Sequence, residues 1–416
     1  MTAPTDTTAR VGRAWVAAYV LAMLGVAAGW FGPLQILLPA QAERLAGTGG
    51  KEALLALVTG WGALASLAAN PVWGAVSDRG RSRWGRRRPV VVAGTVTAVG
   101  GFAVLASATT PAAMAVGWVV AQIGLNGPFA ALAAMIADRV PERQRGLVGA
   151  LFGIAQTLGV VLGTAVAVLA GEGPAGYVAL AVGVPALGVA ILLVHREGPV
   201  APRPGGPGPV DAGPSPAGAG QRVPLRALRP TRAFAWAWTV RFVLNLVNAL
   251  VLLYLYFYLQ DGVGVTDTGT WVLVVTVVFA LTTTVAAAVG GVVSDRTGRR
   301  RVFVLAGAVT IAVGAAVLAT APGLPVVIAA AVLVGAGWGL YVAVDLAILT
   351  QVLPDPTTRA TMLGVGNVAS ALPQVLAPVV AAPVVTTLGG YPTLYGLAAA
   401  LCALAVAALS RLRGVT

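Results

Sequence analysis

The chain has 416 residues, of which 58% are hydrophobic and only 10% charged, and it carries a formal net charge of +13. Apolar stretches of about twenty residues follow one another along it, which excludes a water-soluble globule and marks a polytopic helical membrane protein. One cysteine, Cys402, and one histidine, His195, leave no material for a disulfide framework, a zinc site or an iron-sulfur cluster, and no metal or organic cofactor is expected.

Residues 1–14 form a polar tail, and the apolar run behind it is too long and too poorly flanked for a cleaved signal peptide, so it reads as a first spanning helix. Apolar segments fall at about 15–40, 53–76, 89–109, 112–137, 147–170 and 176–195. They resume at about 234–259, 270–293, 302–321, 325–350, 361–387 and 391–410. Each of these twelve spans can cross a hydrocarbon core of about 30 Å at 1.5 Å per residue. The number is even, so both termini lie on one side.

Cytoplasmic loops near spanning helices carry the Lys and Arg excess. One face holds 24 of the 27 basic residues: two in the N-terminal tail, six after span 2, three after span 4, six after span 6, four after span 8, one after span 10 and two at the C-terminus. The other face holds Arg44 and Lys51, and Arg241 lies inside a span. Both termini are therefore expected in the cytoplasm, the chain crossing an inner or plasma membrane. Its positive charge follows from topology and attraction to anionic membrane lipid; no soluble basic face exists for nucleic acid.

The stretch 196–232 is rich in Pro, Gly and Ala, and reads as a flexible cytoplasmic tether between a six-helix bundle at 15–195 and another at 233–411, with a short tail at 412–416. The bundles are repeats. Ser77, Asp78 and Arg79 recur as Ser294, Asp295 and Arg296 at an offset of 217, and removing four residues from the longer first loop gives 213, which matches Gly85 with Gly298, Pro141 with Pro354 and Gly153 with Gly366. Parallel six-span repeats are the architecture in which two bundles rock about a central site.

The loop after span 2 reads GAVSDRGRSRWGRRRP from Gly74 to Pro89, and the loop after span 8 reads GVVSDRTGRRR from Gly291 to Arg301. Both match the motif Gly-x-x-x-Asp-Arg-x-Gly-Arg-Arg, and over nearly its whole length the chain resembles the major facilitator superfamily. The extension of the first loop is similar to that of the glycoside-pentoside-hexuronide cation symporters and the sucrose-proton symporters. Asn126 to Gly146 also resembles the fourth helix and following loop of the sucrose group. The resemblance implies an all-α fold of two pseudo-symmetric six-helix bundles, spans 1, 4, 7 and 10 lining a central cavity, and alternating access. Two departures stand out. Ser66 and Asn70, before Pro71, occupy the positions where melibiose-type carriers place cation-binding carboxylates, and Val119 and Ala130 stand where sucrose-type carriers place charges.

Of the fourteen acidic residues, Asp345 alone lies well inside a span, nine residues before Pro354 and roughly 13 Å in from the end of span 10. Arg241 lies at about the same depth in span 7. A charge there costs at least about 2.5 kcal/mol, so both are expected to face the bundle interior as a protonation-sensitive pair or as a permanent salt bridge between two helices. A proton is the expected coupling ion. Gln35, Gln122, Asn126, Asn245, Asn248, Asn367 and Gln374 offer hydrogen bonds to a solute or between helices, and Tyr341 shares a helix face with Asp345. Tyr254, Tyr256, Phe257 and Tyr258 read as an interfacial aromatic belt, with an outer gate as the alternative. Gly149, Gly153, Gly159 and Gly163 in span 5, and Gly335, Gly337 and Gly339 in span 10, are expected to permit close helix contact, and His195 to end span 6 at the surface as a structural residue.

The duplicated loop reads as a cytoplasmic gate. Asp78 is placed to meet the positive end of span 11 and Asp295 that of span 5, while Arg79, Arg86, Arg296 and Arg299 can pair with acids such as Asp138. No nucleotide-binding loop ending in GKS or GKT is present and no Ser/His/Asp set can be assembled, so the chain is not read as an enzyme. The function expected is secondary transport of a small solute by a monomer, with sugar or glycoside symport ahead of efflux of drug-like solutes; a receptor or channel is the reading from another class.

Overall fold

A helix satisfies its own backbone hydrogen bonds, which is what lipid demands of a spanning segment. The computed structural model describes residues 10–80, 82, 84–195, 231–320, 323–352 and 359–411. The C-terminal tail, most of the N-terminal tail and the tether up to residue 230 lie outside them. Twelve helices among the described residues are long and apolar enough to cross a membrane. They are α1 (Arg13–Ala46), α2 (Lys51–Arg79), α3 (Arg88–Ser107), α4 (Pro111–Arg139), α5 (Glu142–Ala170) and α6 (Pro174–Val194) in the first half. In the second half they are α7 (Arg232–Leu253), α8 (Thr268–Thr297), α9 (Arg300–Ala319), α10 (Leu324–Gln351), α11 (Arg359–Thr387) and α12 (Gly390–Arg411).

Packing repeats as the sequence does. In the first half α1 lies against α5 and α6, α2 against α4, and α3 against α4 and α6. Adding six to each number reproduces the second half, and the halves meet through α2 with α11 and α5 with α8.

Close approach of helices rests on glycine, because lipid gives apolar side chains no reason to prefer each other and tight backbone contact supplies the association. A methyl group on Gly94 would sit 2.7 Å from the carbonyl of Gly124, joining α3 to α4; one on Gly307 would sit 2.7 Å from the carbonyl of Gly337, joining α9 to α10. These two contacts are copies at the offset of 213. In α5, Gly159 and Gly163 press on the backbone of α1 as expected, but Gly149 and Gly153 meet nothing within 4 Å, which corrects the expectation for that half of the helix. His195 is buried rather than at the surface, its Nδ1 accepting from Trp15 Nε1 at 3.1 Å, and so ties α6 to α1.

Two helices change pitch. A π-helical turn at Pro33–Leu37 interrupts α1, where Pro33 offers no N–H to the helical ladder. The chain after α7 continues through Leu255–Phe257 into a second π-helical turn, Tyr258–Val263. Each of these extended segments ends on a glycine with positive φ, Gly47 at 66° and Gly264 at 78°.

Candidate functional site: a cavity between the halves

A cavity of about 280 Å³ lies between the halves. Phe31 and Gln35 of α1 and Gln156, Thr157 and Val160 of α5 line it from the first half; Asn248, Val251, Leu252 and Leu255 line it from α7 and the turn that follows. From α8 come Val275, Thr276, Phe279, Ala280 and Thr283, from the end of α9 Leu318, and from α10 Val327, Ala331, Val334 and Trp338. Among the described residues, no ionisable side chain is in this wall. Gln35, on the π-helical turn, accepts a hydrogen bond from Thr276 Oγ1 at 3.1 Å, so the halves touch at the cavity itself. The Oδ1 atom of Asn248 is buried and accepts no hydrogen bond from a described residue.

On the face opposite the arginine-rich loops, the halves are latched. Lys51 at the start of α2 is 1% exposed, and its Nζ donates to Glu43 of α1 at 3.0 Å and to Asp261 of the second π-helical turn at 3.0 Å. Its ammonium lies 4.8 Å from the centroid of the Phe257 ring, a cation–π distance. Gln260 Nε2 donates to Glu43 at 3.0 Å. The hydroxyl of Tyr391 in α12 donates to Glu52 at 2.8 Å, that of Tyr254 to the Glu52 carbonyl at 2.9 Å, and that of Tyr256 to Glu172 at 2.5 Å. These bonds and the Gln35–Thr276 bond join one half to the other.

Tyr254, Tyr256, Phe257 and Tyr258 are at most 5% exposed. They form no belt facing lipid: the hydroxyls of Tyr254 and Tyr256 reach the other half and that of Tyr258 the Leu318 carbonyl of α9.

Asp345 and Arg241 form an ion pair between α10 and α7. Asp345 Oδ2 takes the guanidinium and Oδ1 accepts from Tyr341 OH at 2.7 Å, while Arg241 Nε donates to Ser370 Oγ of α11 at 2.8 Å. Asn245 donates to the Arg241 carbonyl at 2.8 Å and faces the Tyr341 hydroxyl at 3.4 Å. All these groups belong to the second half. The pair sits in a crevice of about 10 Å³, enough for about one water, bordered by Val304 and Leu409 and separate from the main cavity. One contact links them: the ring of Trp338, in the cavity wall, lies 5.2 Å from that of Tyr341.

At the arginine-rich face the centre of the first loop is Arg87, which is 5% exposed. It donates to Asp78 at 2.7 Å, to Ser77 at 2.9 Å and to Asp138 of α4 at 2.8 Å. Burial disfavours the Arg87 cation, but hydrogen bonds and charge from Asp138 and Asp78 outweigh it and raise its pKa above the ordinary guanidinium value. Arg86 reaches Asp138 only at 3.9 Å, and Arg79 is exposed. In the copy, Arg300 and Gln351 stand where Arg87 and Asp138 would recur at 213. Among the described residues the clamp is not repeated: Asp295, Arg296 and Arg299 are exposed, and the buried Ser294 hydroxyl has no partner there.

Of the polar residues expected at a solute site, Gln35 and Asn248 reach the cavity. Asn126 instead donates to Ser66 at 2.9 Å and to the Gln122 carbonyl at 2.8 Å, and accepts from Asn70, joining α4 to α2. Asn245 and Tyr341 surround the ion pair, and Asn367 and Gln374 are exposed outside the cavity lining. Sequence reasoning missed Gln156, Thr276 and the charged part of the latch, while its outer-gate alternative had named Tyr254, Tyr256 and Phe257. Glu43, Lys51, Glu52 and Asp261 read singly as edge charges; their placement opposite one another, half against half, was the available signal.

Two six-helix bundles packed around a cavity between them are the fold of a membrane transporter. The chain belongs to the Major Facilitator Superfamily, whose family pattern matches residues 16–278 and 267–415. That membership makes it a multi-pass membrane transporter of small molecules rather than an enzyme. No curated protein matches it. Among solved structures, the fold is similar to the nucleoside transporter NupG, with TM-score 0.67, 15% identity and coverage of 97% of this chain and 100% of that one. It is also similar to a peptide transporter POT in complex with sulfate, with TM-score 0.73, 15% identity and coverage of 96% and 94%. A bacterial homologue of the human lysosomal transporter Spinster, in an inward-facing and unoccupied conformation, gives TM-score 0.66, 14% identity and coverage of 96% and 93%.

Proposed function

We propose that the chain is a proton-coupled transporter of a small uncharged solute of the sugar or glycoside kind, working as a monomer in the inner or plasma membrane with both termini in the cytoplasm. On that orientation Lys51 and its partners latch the outside. The observation that carries proton coupling is the chain of contacts from cavity to carboxylate: Trp338 in the wall, Tyr341 against it, and Asp345 accepting the Tyr341 hydroxyl. A proton on Asp345 weakens its hold on Arg241 and frees Tyr341 to reorient, which moves the wall a solute touches. When the outside opens, Asp78 moves to the end of α11 and Asp295 to that of α5, and the arginine-rich loops close the inside.

The test is transport by the full chain in vesicles. An imposed pH gradient should drive accumulation of the solute that a binding screen selects, and Asp345→Asn should retain exchange but lose accumulation. Undiminished pH-driven accumulation in that variant would end the proton-coupling reading. The second reading, efflux of apolar drug-like solutes, is favoured by a wall in which thirteen of nineteen residues are apolar; solute leaving inside-loaded vesicles against its gradient would select it.

A further inference from the structure

The two halves contribute unlike walls to the cavity. The first half supplies five residues, of which three are neutral and polar, Gln35, Gln156 and Thr157. The second supplies fourteen, of which eleven are apolar, including Phe279, Val334 and Trp338. Each half thus supplies three polar residues, Asn248, Thr276 and Thr283 being those of the second, but they make up most of the small first-half wall and only a minor part of the large, mainly apolar second-half wall.

From this split we infer that the substrate is an uncharged amphiphile, with an apolar ring or chain seated against the second half and a hydroxyl- or amide-bearing end held by the first. The inference rests on the transporter reading above. A carboxylate or ammonium group would enter a wall with no counter-charge, at a desolvation cost the lining cannot offset. A wholly polar solute would leave the second half's surface uncovered, and a wholly apolar one would leave the carboxamides unpaired. Two further features fit. Gln35 is presented by a π-helical turn and already bridges to Thr276, so a ligand hydroxyl can replace one partner of that bond and bear directly on the contact between halves. The unpaired Oδ1 of Asn248 asks for a donor. An amphiphile that spans both walls gives each half a reason to close on it, which neither end alone supplies.

The experiment is equilibrium binding to the purified full-length chain in lipid nanodiscs, by calorimetry, with four probes. Phenyl β-glucoside and chloramphenicol are uncharged amphiphiles; glucose is the polar end alone; phenyl β-glucuronide is the first probe with a carboxylate in place of its hydroxymethyl group. Expected is binding of at least one uncharged amphiphile at least tenfold tighter than both glucose and phenyl glucuronide, with Gln35→Leu and Trp338→Ala each weakening it tenfold or more. Unfolding temperatures of the unliganded variants control for folding, and Thr157→Val provides a milder change on the polar wall. Equal or tighter binding of glucose or the glucuronide, or no binding of either amphiphile, overturns the inference. Binding without counterflow into vesicles supports it while sinking the transporter reading on which it was framed.

Discussion

Gln260 donates a hydrogen bond to Glu43, the residue 217 positions earlier, and 217 is the offset at which Ser77, Asp78 and Arg79 recur as Ser294, Asp295 and Arg296. Two repeat-equivalent positions thus touch each other, as residues near the axis relating the halves must. Gly47 and Gly264, the glycines that end these segments, obey the same offset. Departure from symmetry does the latching. The positions after Glu43 and Gln260 are Arg44 and Asp261, and it is Asp261 that accepts from Lys51 across the boundary.

Lys51 is the cation that makes this cluster of acids cohesive, so Lys51→Met should open the face it closes. Glu43 and Asp261 would then confront each other with only Gln260 and Tyr391 between them. Because the two acids are 26% and 38% exposed, the loss is discounted to about 1–2 kcal/mol, roughly a tenfold shift in the conformational equilibrium. The distance distribution between spin labels at Ala108→Cys and Thr320→Cys reports it, the native Cys402 being buried and out of reach. A distribution identical to that of the parent chain would show that the latch carries no conformational weight.

The paired glycine contacts predict a stability effect equal in both halves. Gly124→Ala and Gly337→Ala each push a methyl group into backbone of the neighbouring helix and should cost about 1–3 kcal/mol by overpacking. Gly100→Ala and Gly396→Ala, where a methyl group meets nothing within 4 Å, should be neutral or slightly stabilising because Ala loses less entropy in a helix. Thermal inactivation half-lives of the four variants should separate into these two pairs.

The spans, the repeat and the meeting of Asp345 with Arg241 were legible in the sequence because each rests on a one-dimensional regularity: run length, offset, or depth along a helix. The charged part of the latch was not. Which edge charges face one another depends on how α1, α2, α7 and α12 converge, and apolar periodicity does not announce that Tyr256 and Tyr258 are buried. The cavity wall was half legible. Gln35 and Asn248 stand out as polar in apolar runs, while Thr276 and Thr283 look like ordinary span residues until α8 is seen to face α1. Asn126 shows the converse, since a mid-span amide is equally at home joining two helices.

Arg87 should act as a pH-insensitive clamp. A raised folded-state pKa means its stabilising charge is fully present below the ordinary guanidinium value and is lost only as pH rises through the still higher folded value. Nothing contributed by the guanidinium titrates between pH 6 and 9. Arg87→Gln should lower stability by about 1–2 kcal/mol, the exposure of Asp78 and Asp138 reducing the cost of leaving them unpaired. Adding Asp78→Asn should recover part of that loss. Unfolding curves at pH 6 and pH 9 check both points; a decrement from Arg87→Gln that vanishes at pH 9 would contradict the clamp.

Asp345 and Arg241 separate a proton site from a structural strut through the way their variants combine. Arg241→Gln alone leaves a carboxylate in a largely apolar crevice and should be the less stable single variant, whereas Asp345→Asn keeps an acceptor for Tyr341 and leaves an arginine that Ser370 still holds. The double variant should regain folded yield relative to Arg241→Gln, giving a coupling that the two singles do not sum to. If the pair only orients α7 and α10, that double variant should also regain accumulation driven by a pH gradient. If Asp345 carries the proton, the double variant should fold, bind and exchange solute, yet gain nothing from an imposed pH gradient. Measuring binding, exchange and accumulation on the same reconstituted samples makes the distinction, and recovery of accumulation alongside folded yield would reduce Asp345 to a strut.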